Sequence, residues 1–453
     1  MNRSFWKKVV WIGLPVALQN LINTLLNMCD TLMIQSLGES FVSGVGLANK
    51  VFFVLNLLVF GIVSGCSILQ SQYYGKADHK GLNKVFGFSL ILALGAGILF
   101  FLASIIMPYN IMSLFTKSQE LINIGGSYLK IVATSYLFTA ISMAITGLLK
   151  SVNKTRVPML ITLVSVLINV LINYVLIFGS FGAPRLESDG AAIGTLVARA
   201  IELGSLLLYL IFSKKDFILS IRAMFIFNKT FIKRVLLLAL PVVFNEFAWG
   251  LGTTIYSVIY GHMHDDVVTT MTIATILQDL VYAFLFGISS ACAVIVGNDL
   301  GANNLDKARK TAKNLLIANF IFAFFLGGLL IALIYPYLLL YNEVSSDIKE
   351  NIKYVCIVFA CFMPVKAFNL TNVCGVLRSG GDTKFCLFLD AFGVWGVAIP
   401  LGCLAAFVFK FNIILVFTFI CLEEAFKFIL GYIRYRKEKW VKNVTFSSEE
   451  IAI

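Results

Sequence analysis

The amino-acid sequence predicts an all-α polytopic membrane protein with twelve transmembrane helices in two related six-helix halves. Three observations lead to this prediction: an apolar composition, basic residues that collect in alternate connections, and an internal repeat. Hydrophobic residues make up 59 % of the 453 positions and charged residues 13 %, and the mean hydropathy is +0.89. Soluble domains carry about 25 % charged residues. Lipid is therefore the expected solvent for most of the chain.

Twelve apolar segments are long enough to cross a membrane as helices, which requires roughly 18 residues or more. They are expected near 9–35, 42–70, 85–107, 124–149, 157–178, 190–212, 235–260, 267–297, 312–336, 352–377, 385–409 and 412–433.

The basic residues test this helix count because cytoplasmic loops collect Lys and Arg. With the N-terminus inside, most of the 36 Lys and Arg residues fall in the cytoplasmic connections, and few fall in the others. A miscounted helix would invert every later connection and remove this bias. We therefore expect a multi-pass protein of the plasma membrane with both termini cytoplasmic. The excess of basic residues has this topological origin, and no nucleic-acid partner is expected.

The second half of the chain repeats motifs of the first in one register. Leu14-Pro15-Val16 matches Leu240-Pro241-Val242, Phe60-Gly61-Ile62 matches Phe286-Gly287-Ile288, and Gly75 matches Gly301. Each half would hold six helices, an even number, so both halves enter the membrane from the same side. The predicted domains are an N-terminal lobe at 1–212, a cytoplasmic linker at 213–234 and a C-terminal lobe at 235–453. Transporters use such parallel repeats and place the substrate site between them.

Among the carboxylates inside the predicted membrane helices, two are the leading functional candidates. A carboxylate in hydrocarbon costs about 2.5–3.5 kcal/mol on insertion scales, so such residues usually face a cavity and have a function. Asp30 lies roughly 33 Å along an ideal helix from Lys8, in the outer half of the first helix. Glu246 lies roughly 18 Å from Arg234, near the membrane centre.

An enzyme is not expected. The predicted spans contain no His, and the chain has no His-Glu-x-x-His, Gly-x-Ser-x-Gly or nucleotide-binding Gly-rich motif with Lys. We expect no catalytic residues, no metal site and no cofactor.

Several motifs together resemble the multidrug and toxic compound extrusion (MATE) family. They are Pro15 and Asp30, LGESFVSGVGLANK, GLLKSVNKTRVP, INVLINYVLIFGSFGAP and DGAAIGT in the first lobe, and LPVVFNE, FGISSACAVIVGNDLGA and GVLRSGGDTK in the second. The resemblance implies two pseudo-symmetric six-helix bundles around a central cleft. It also implies export of cationic or amphipathic organic compounds in exchange for H⁺ or Na⁺.

The resemblance assigns a cation-coupling site to the first lobe. In similar transporters an acid at the position of Asp30 binds the coupling cation together with polar groups of the fifth helix. Here that helix offers Asn169 and Asn173, which share one face because they are four residues apart, and Thr195 adds a hydroxyl. Many family members carry an acid at the position of Asn173. Its absence here disfavours tightly held Na⁺ and favours protonation of Asp30.

For the second lobe two interpretations stay open. Family members that bind the cation there carry an acid at the position of Glu246, so Glu246 is a second coupling candidate. An ion pair between Glu246 and Lys366 would instead make this acid structural. Asn20, Tyr256 and Lys366 are expected to line the substrate cavity.

The expected partners are small organic cations or drugs and membrane lipid, and the protein is expected to be monomeric. An alternative function is a flippase for a lipid-linked saccharide or peptide precursor, because distant relatives of this architecture move such lipids. Those relatives often have two more helices and a more basic cavity, so the exporter is favoured.

Overall fold

The computed structural model of the protein describes residues 3–213, 220–339, 341 and 344–445. These residues contain helices and connections but no strand. Twelve long helices follow one another: α1 Arg3–Gln35, α2 Glu39–Gly75, α3 His79–Ile106, α4 Gln119–Ser151, α5 Arg156–Phe178, α6 Glu187–Phe212, α7 Lys229–Gly261, α8 Asp265–Gly301, α9 Leu305–Leu338, α10 Ser346–Gly380, α11 Thr383–Val408 and α12 Ile413–Arg436. Short helices at Pro108–Ser113 and Ile221–Met224 lie between them.

The predicted helix count and helical class are confirmed. Helices α1 to α11 are long and apolar enough to cross a membrane. Helix α12 has the length as well, but Glu423, Glu424 and Lys427 interrupt its apolar sequence. These three charged residues are buried against neighbouring helices. The twelfth helix therefore solvates its charges inside the protein rather than in lipid.

Local sequence explains where several helices begin and end. The side chain of Asp78 accepts a hydrogen bond from the backbone N–H of Gly81 at the start of α3, and Asn412 does the same for Leu415 at the start of α12. Such caps satisfy N–H groups that have no partner within the helix. Helix α5 ends at Gly179, whose φ of 69° is left-handed and suits glycine.

The helices group into two compact units, which are described separately. The N-terminal unit comprises the described residues of 18–70 and 78–235, and the C-terminal unit comprises 3–17, 71–77 and the described residues of 236–445. The start of α1 and the end of α2 thus pack with helices of the second sequence half. The domain boundaries at 212 and 235 follow the sequence repeat and stay a prediction, and residues 214–219 of the linker lie outside the described residues.

Each unit has its own helix packing. In the N-terminal unit α5 packs on α6, α4 packs on both α3 and α6, and the short helix Ile221–Met224 packs on α3. In the C-terminal unit α8, α9 and α10 pack on one another, and α12 packs on α10 and α11. Helices α10 and α11 contain π-helical turns at Thr371–Leu377 and Phe392–Ala398. Such turns are rare and often occur at functional sites.

Candidate functional site

The first predicted site forms inside the N-terminal unit, where α1 meets α5. The Nδ2 atom of Asn173 donates to Oδ1 of Asp30 at 2.8 Å. Asn169 lies one helical turn before Asn173, and both side chains are buried. The structure therefore brings together the acid on α1 and the two amides on α5 that the sequence assigned to one site.

The amide of Asn169 fits its surroundings in two orientations. In one, its Oδ1 accepts from Asn173 Nδ2 at 3.1 Å. Turned by half a rotation, its Nδ2 donates to Asp30 Oδ1 at 3.1 Å and its Oδ1 accepts from the backbone N–H of Thr195 at 3.2 Å. Thr195 thus belongs to the site through its backbone. An amide that can offer or withhold a donor suits a carboxyl that changes protonation state.

Glycine at position 194 makes this geometry possible. A Cβ on Gly194 would overlap the Oδ1 atom of Asn173. One turn earlier, a Cβ on Gly190 would lie 2.8 Å from the backbone carbon of Leu176. The two glycines let α6 approach α5 closely enough to cover the amide pair.

A cavity of about 380 Å³ opens beside Asp30 within the same unit. Its polar lining is contributed by five helices and consists of Asn27, Asp30, Thr31, Asn49, Asn56, Tyr128, Ser135, Thr162, Ser165, Asn169, Thr195 and Arg199. Phe52, Phe53 and several aliphatic side chains complete the wall. A cavity of this size, which combines apolar side chains with polar groups from several helices, is suited to a small molecule.

A second acid neutralises the basic residue of the cavity. Arg199 Nη1 lies 2.7 Å from Glu202 Oε2, an i, i+3 pair on α6. Glu202 also accepts from the hydroxyl of Thr162 at 3.1 Å, and Thr162 accepts from the amide of Gln19 at 3.0 Å. Asp30 is therefore left as the unpaired charge among the residues that line this cavity.

In the C-terminal unit Glu246 has a different partner from the one predicted. Its Oε1 lies 2.8 Å from Nη1 of Arg378, whose side chain is 5 % exposed. Lys366 instead lies 3.7 Å from Glu424 and over the rings of Tyr282 and Phe359. The Glu246–Lys366 pair of one of the two open interpretations is therefore not formed. Arg378 directly follows the π-helical turn of α10, and its side chain is buried although the sequence placed it in a connection.

The Glu246–Arg378 pair begins a chain of alternating charges across four helices. Arg378 Nη2 lies 4.0 Å from Asp390, and Asp390 lies 3.7 Å from Lys427. Lys427 lies 3.5 Å from Glu423, which accepts from the hydroxyl of Tyr256 at 3.2 Å. Tyr256 and Lys366 thus contact acids of α12, whereas Asn20 lies in the N-terminal unit and outside the wall of the Asp30 cavity.

Sequence reasoning missed several residues of both sites. Asn49, Asn56 and Tyr128 line the Asp30 cavity, but isolated polar residues in apolar helices carry no sequence signal of which cavity they face. Arg378 was missed because its helix continues through a π-helical turn. Within the described residues, no three His, Cys, Asp or Glu side chains come close enough to hold a metal ion.

Comparison with known proteins identifies relatives over nearly the whole chain. A family model described as MatE matches residues 15–175 and 241–404, so both sequence halves match one model, beginning at Pro15 and at Pro241. The protein named "Probable multidrug resistance protein NorM" from Thermotoga maritima is 22 % identical over 98 % of this chain and 95 % of its own length. Multidrug resistance protein PmpM from Pseudomonas aeruginosa is 24 % identical over 88 % of this chain and 84 % of its own.

Solved structures share the fold at low sequence identity. The crystal structure of MATE in complex with MaL6 superposes with a TM-score of 0.88, at 17 % identity and 96 % coverage of both chains. A MOP superfamily transporter from Pyrococcus furiosus superposes with a TM-score of 0.87, also at 17 % identity, over 96 % of this chain and 95 % of its own. The predicted twelve-helix architecture of two pseudo-symmetric bundles is confirmed.

Proposed function

This chain belongs to the MatE family, and on that premise we propose that it is a secondary active antiporter. It exports cationic or amphipathic organic compounds in exchange for an inward cation. The names of the relatives from Thermotoga maritima and Pseudomonas aeruginosa, both multidrug resistance proteins, support this substrate class. The proposed location is the plasma membrane with both termini cytoplasmic, which the distribution of Lys and Arg supports.

The observation that carries the proposal is the position of Asp30. Its carboxylate lines a cavity large enough for a small organic molecule, and Arg199 in the same wall is already paired with Glu202. An ionised Asp30 would attract an organic cation into the cavity, and a protonated Asp30 would not. Binding of the two cations to one carboxyl is therefore mutually exclusive, which is the requirement for exchange.

The donor set at Asp30 favours H⁺ over Na⁺ as the coupling ion. Hard metal cations are held by several oxygen atoms. Here Oδ1 of Asp30 faces amide N–H groups of Asn173 and, in one orientation, of Asn169. With Asn173 in place of an acid, the site has a single carboxylate. A proton on the other carboxyl oxygen needs no further ligand.

Glu246 is a weaker coupling candidate. Its carboxylate makes a 2.8 Å ion pair with the buried guanidinium of Arg378, which a bound cation would have to displace. Its assignment to cation coupling stays a prediction, and we propose a structural role for the pair.

Transport by proteoliposomes with separately imposed H⁺ and Na⁺ gradients tests the proposal. We expect a proton gradient to drive ethidium efflux in the wild type, Asp30→Asn to abolish the gradient-driven part, and Asp30→Glu to retain some of it. Asp189→Asn is the matched control, because the carboxylate of Asp189 lies in the same unit but accepts from Ser127 and is not part of the cavity wall. Gradient-driven efflux by Asp30→Asn at normal expression would refute the assignment.

A further inference from the structure

At the end of the protein that carries the N-terminus, α2 crosses α8 inside the C-terminal unit. The crossing occurs at two glycines that match in the sequence repeat. A Cβ on Gly75 would overlap the backbone carbonyl of Asn298, and a Cβ on Gly301 would overlap that of Gln72. The two backbones therefore touch directly. Because Gly75 belongs to the first sequence half and Gly301 to the second, this contact joins the halves at one end.

Gln72 links this crossing to the end of the chain. Its side chain is fully buried, with 0 % exposure. Its Nε2 donates to the backbone carbonyl of Ser379 at 2.8 Å and to that of Lys442 at 3.2 Å, and its Oε1 accepts from the backbone N–H of Val444 at 2.7 Å. One glutamine of α2 thus holds both the end of α10 and the segment that follows α12.

That segment, residues 440–445, is called the C-terminal clasp. Residues near both ends of the clasp contact the helices of the C-terminal unit. The Trp440 side chain is 1 % exposed and its ring stacks on Tyr435 at 5.9 Å between centroids. A Cβ on Gly380 would overlap the carbonyl of Trp440. At the other end, Asn443 Nδ2 donates to the carbonyl of Gly301 at 3.2 Å, at the helix crossing itself.

We propose that Gln72 and the C-terminal clasp form a gate lock for transport. The clasp holds the α2–α8 crossing closed, and it leaves Gln72 when this end of the protein opens. The inference rests on the proposed transport function, because an alternating-access carrier has to open each end in turn. The lock is a switch with two states. A buried amide oxygen without a donor is costly, so Oε1 of Gln72 is either bound to the Val444 N–H of the clasp or hydrated when this end is open.

The distance across the crossing tests the lock without substrate or coupling ion. Ala77→Cys and Ala302→Cys place spin labels at exposed positions on either side of it, in a background whose nine native cysteines are replaced. Double electron–electron resonance should give one short distance between the two spin labels in the otherwise unchanged protein. Gln72→Ala removes the bonds to the clasp, and we expect a longer-distance population that increases roughly tenfold.

Two further variants separate the lock from general loss of structure. Val444→Pro removes the backbone N–H from which Gln72 accepts while leaving the Gln72 side chain in place, and residue 444 lies outside the described helices. It should reproduce the Gln72→Ala change. Gln70→Ala removes another fully buried glutamine of α2, which contacts Ser151 instead of the clasp, and it should leave the short distance unchanged.

The outcomes are distinct. An unchanged distance in both Gln72→Ala and Val444→Pro, with normal elution of the purified protein, would overturn the lock. A change in Gln72→Ala alone would show that the clasp does not hold the crossing and would overturn it as well. Because the distances are measured without transport, they do not depend on whether Asp30 is the coupling group.

Discussion

Replacing Arg378 by Gln should destabilise the protein severely, because it removes a buried positive charge between two acids. Arg378 is 5 % exposed and faces Glu246 at 2.8 Å and Asp390 at 4.0 Å. Breaking a buried ion pair from one side typically costs about 3–5 kcal/mol, since the remaining charge stays buried without its partner. For a chain of this length this corresponds to a decrease in melting temperature of about 3–5 °C.

The double variant Glu246→Gln/Arg378→Gln gives the sharper measurement. Two neutral amides can hydrogen-bond to each other, so we expect the double variant to be more stable than Arg378→Gln alone. The coupling energy between the two positions should be about 1–3 kcal/mol. Thermal unfolding of the purified protein, followed by fluorescence-detected gel filtration, measures all four members of the cycle.

Arg309 provides the matched control. It also contacts two acids, Asp306 at 2.8 Å and Glu438 at 2.9 Å, but its side chain and both partners are exposed. Surface pairs of this kind contribute about 0–1 kcal/mol. Arg309→Gln should therefore change the melting temperature little. Two results would refute the structural role of the Glu246–Arg378 pair. One is that Arg378→Gln is as stable as Arg309→Gln, and the other is that the losses of stability in Glu246→Gln and Arg378→Gln add up in the double variant.

Three more predictions follow from the sites. Asn173→Asp places a second carboxylate beside Asp30, so efflux should gain a dependence on a Na⁺ gradient, measured in the same proteoliposomes. Gly194→Ala should reduce efflux and cost about 1–3 kcal/mol in stability, because its Cβ would displace the Asn173 amide. Glu424→Gln leaves Lys366 without its ion-pair partner. We expect the free energy of unfolding to decrease by about 1–3 kcal/mol, which is measured as a lower melting temperature.

Each of these three predictions has a result that contradicts it. A Na⁺ response absent from Asn173→Asp would mean that a second carboxylate does not create a metal-cation site here. Wild-type efflux by Gly194→Ala would show that the Asn173–Asp30 bond is dispensable. For Glu424→Gln, an unchanged melting curve would indicate that Lys366 is solvated without the acid.

The architecture follows from the sequence because it depends on quantities that add along the chain. Apolar length, alternating basic connections and a repeat register are each read without knowing any contact, and together they predicted twelve helices in two halves. The Asp30 site was also predictable in part. Asn169 and Asn173 are four residues apart on one helix, so their shared face is a property of local geometry, and only their meeting with α1 required the fold.

Partner choice inside the C-terminal unit was decided by tertiary structure alone. Three basic residues of that unit, Lys366, Arg378 and Lys427, lie in or next to the chain of alternating charges that begins at Glu246. The sequence does not indicate which of them is nearest to Glu246. A π-helical turn of α10 ends just before Arg378, and the buried side chain of Arg378 rather than that of Lys366 meets Glu246. No motif in the sequence indicates this pairing.

The contacts of the C-terminal clasp were likewise decided by tertiary structure and not by sequence pattern. In the sequence, the residues after α12 carry three Lys and three Glu residues and show no motif that indicates a partner. Only the fold brings Trp440, Asn443 and Val444 to Gln72, which lies far away in the chain. Hydropathy and charge patterns determine which segments leave water, because each residue contributes to that transfer free energy independently. Which buried polar groups satisfy one another is a property of pairs, and pairs exist only in three dimensions.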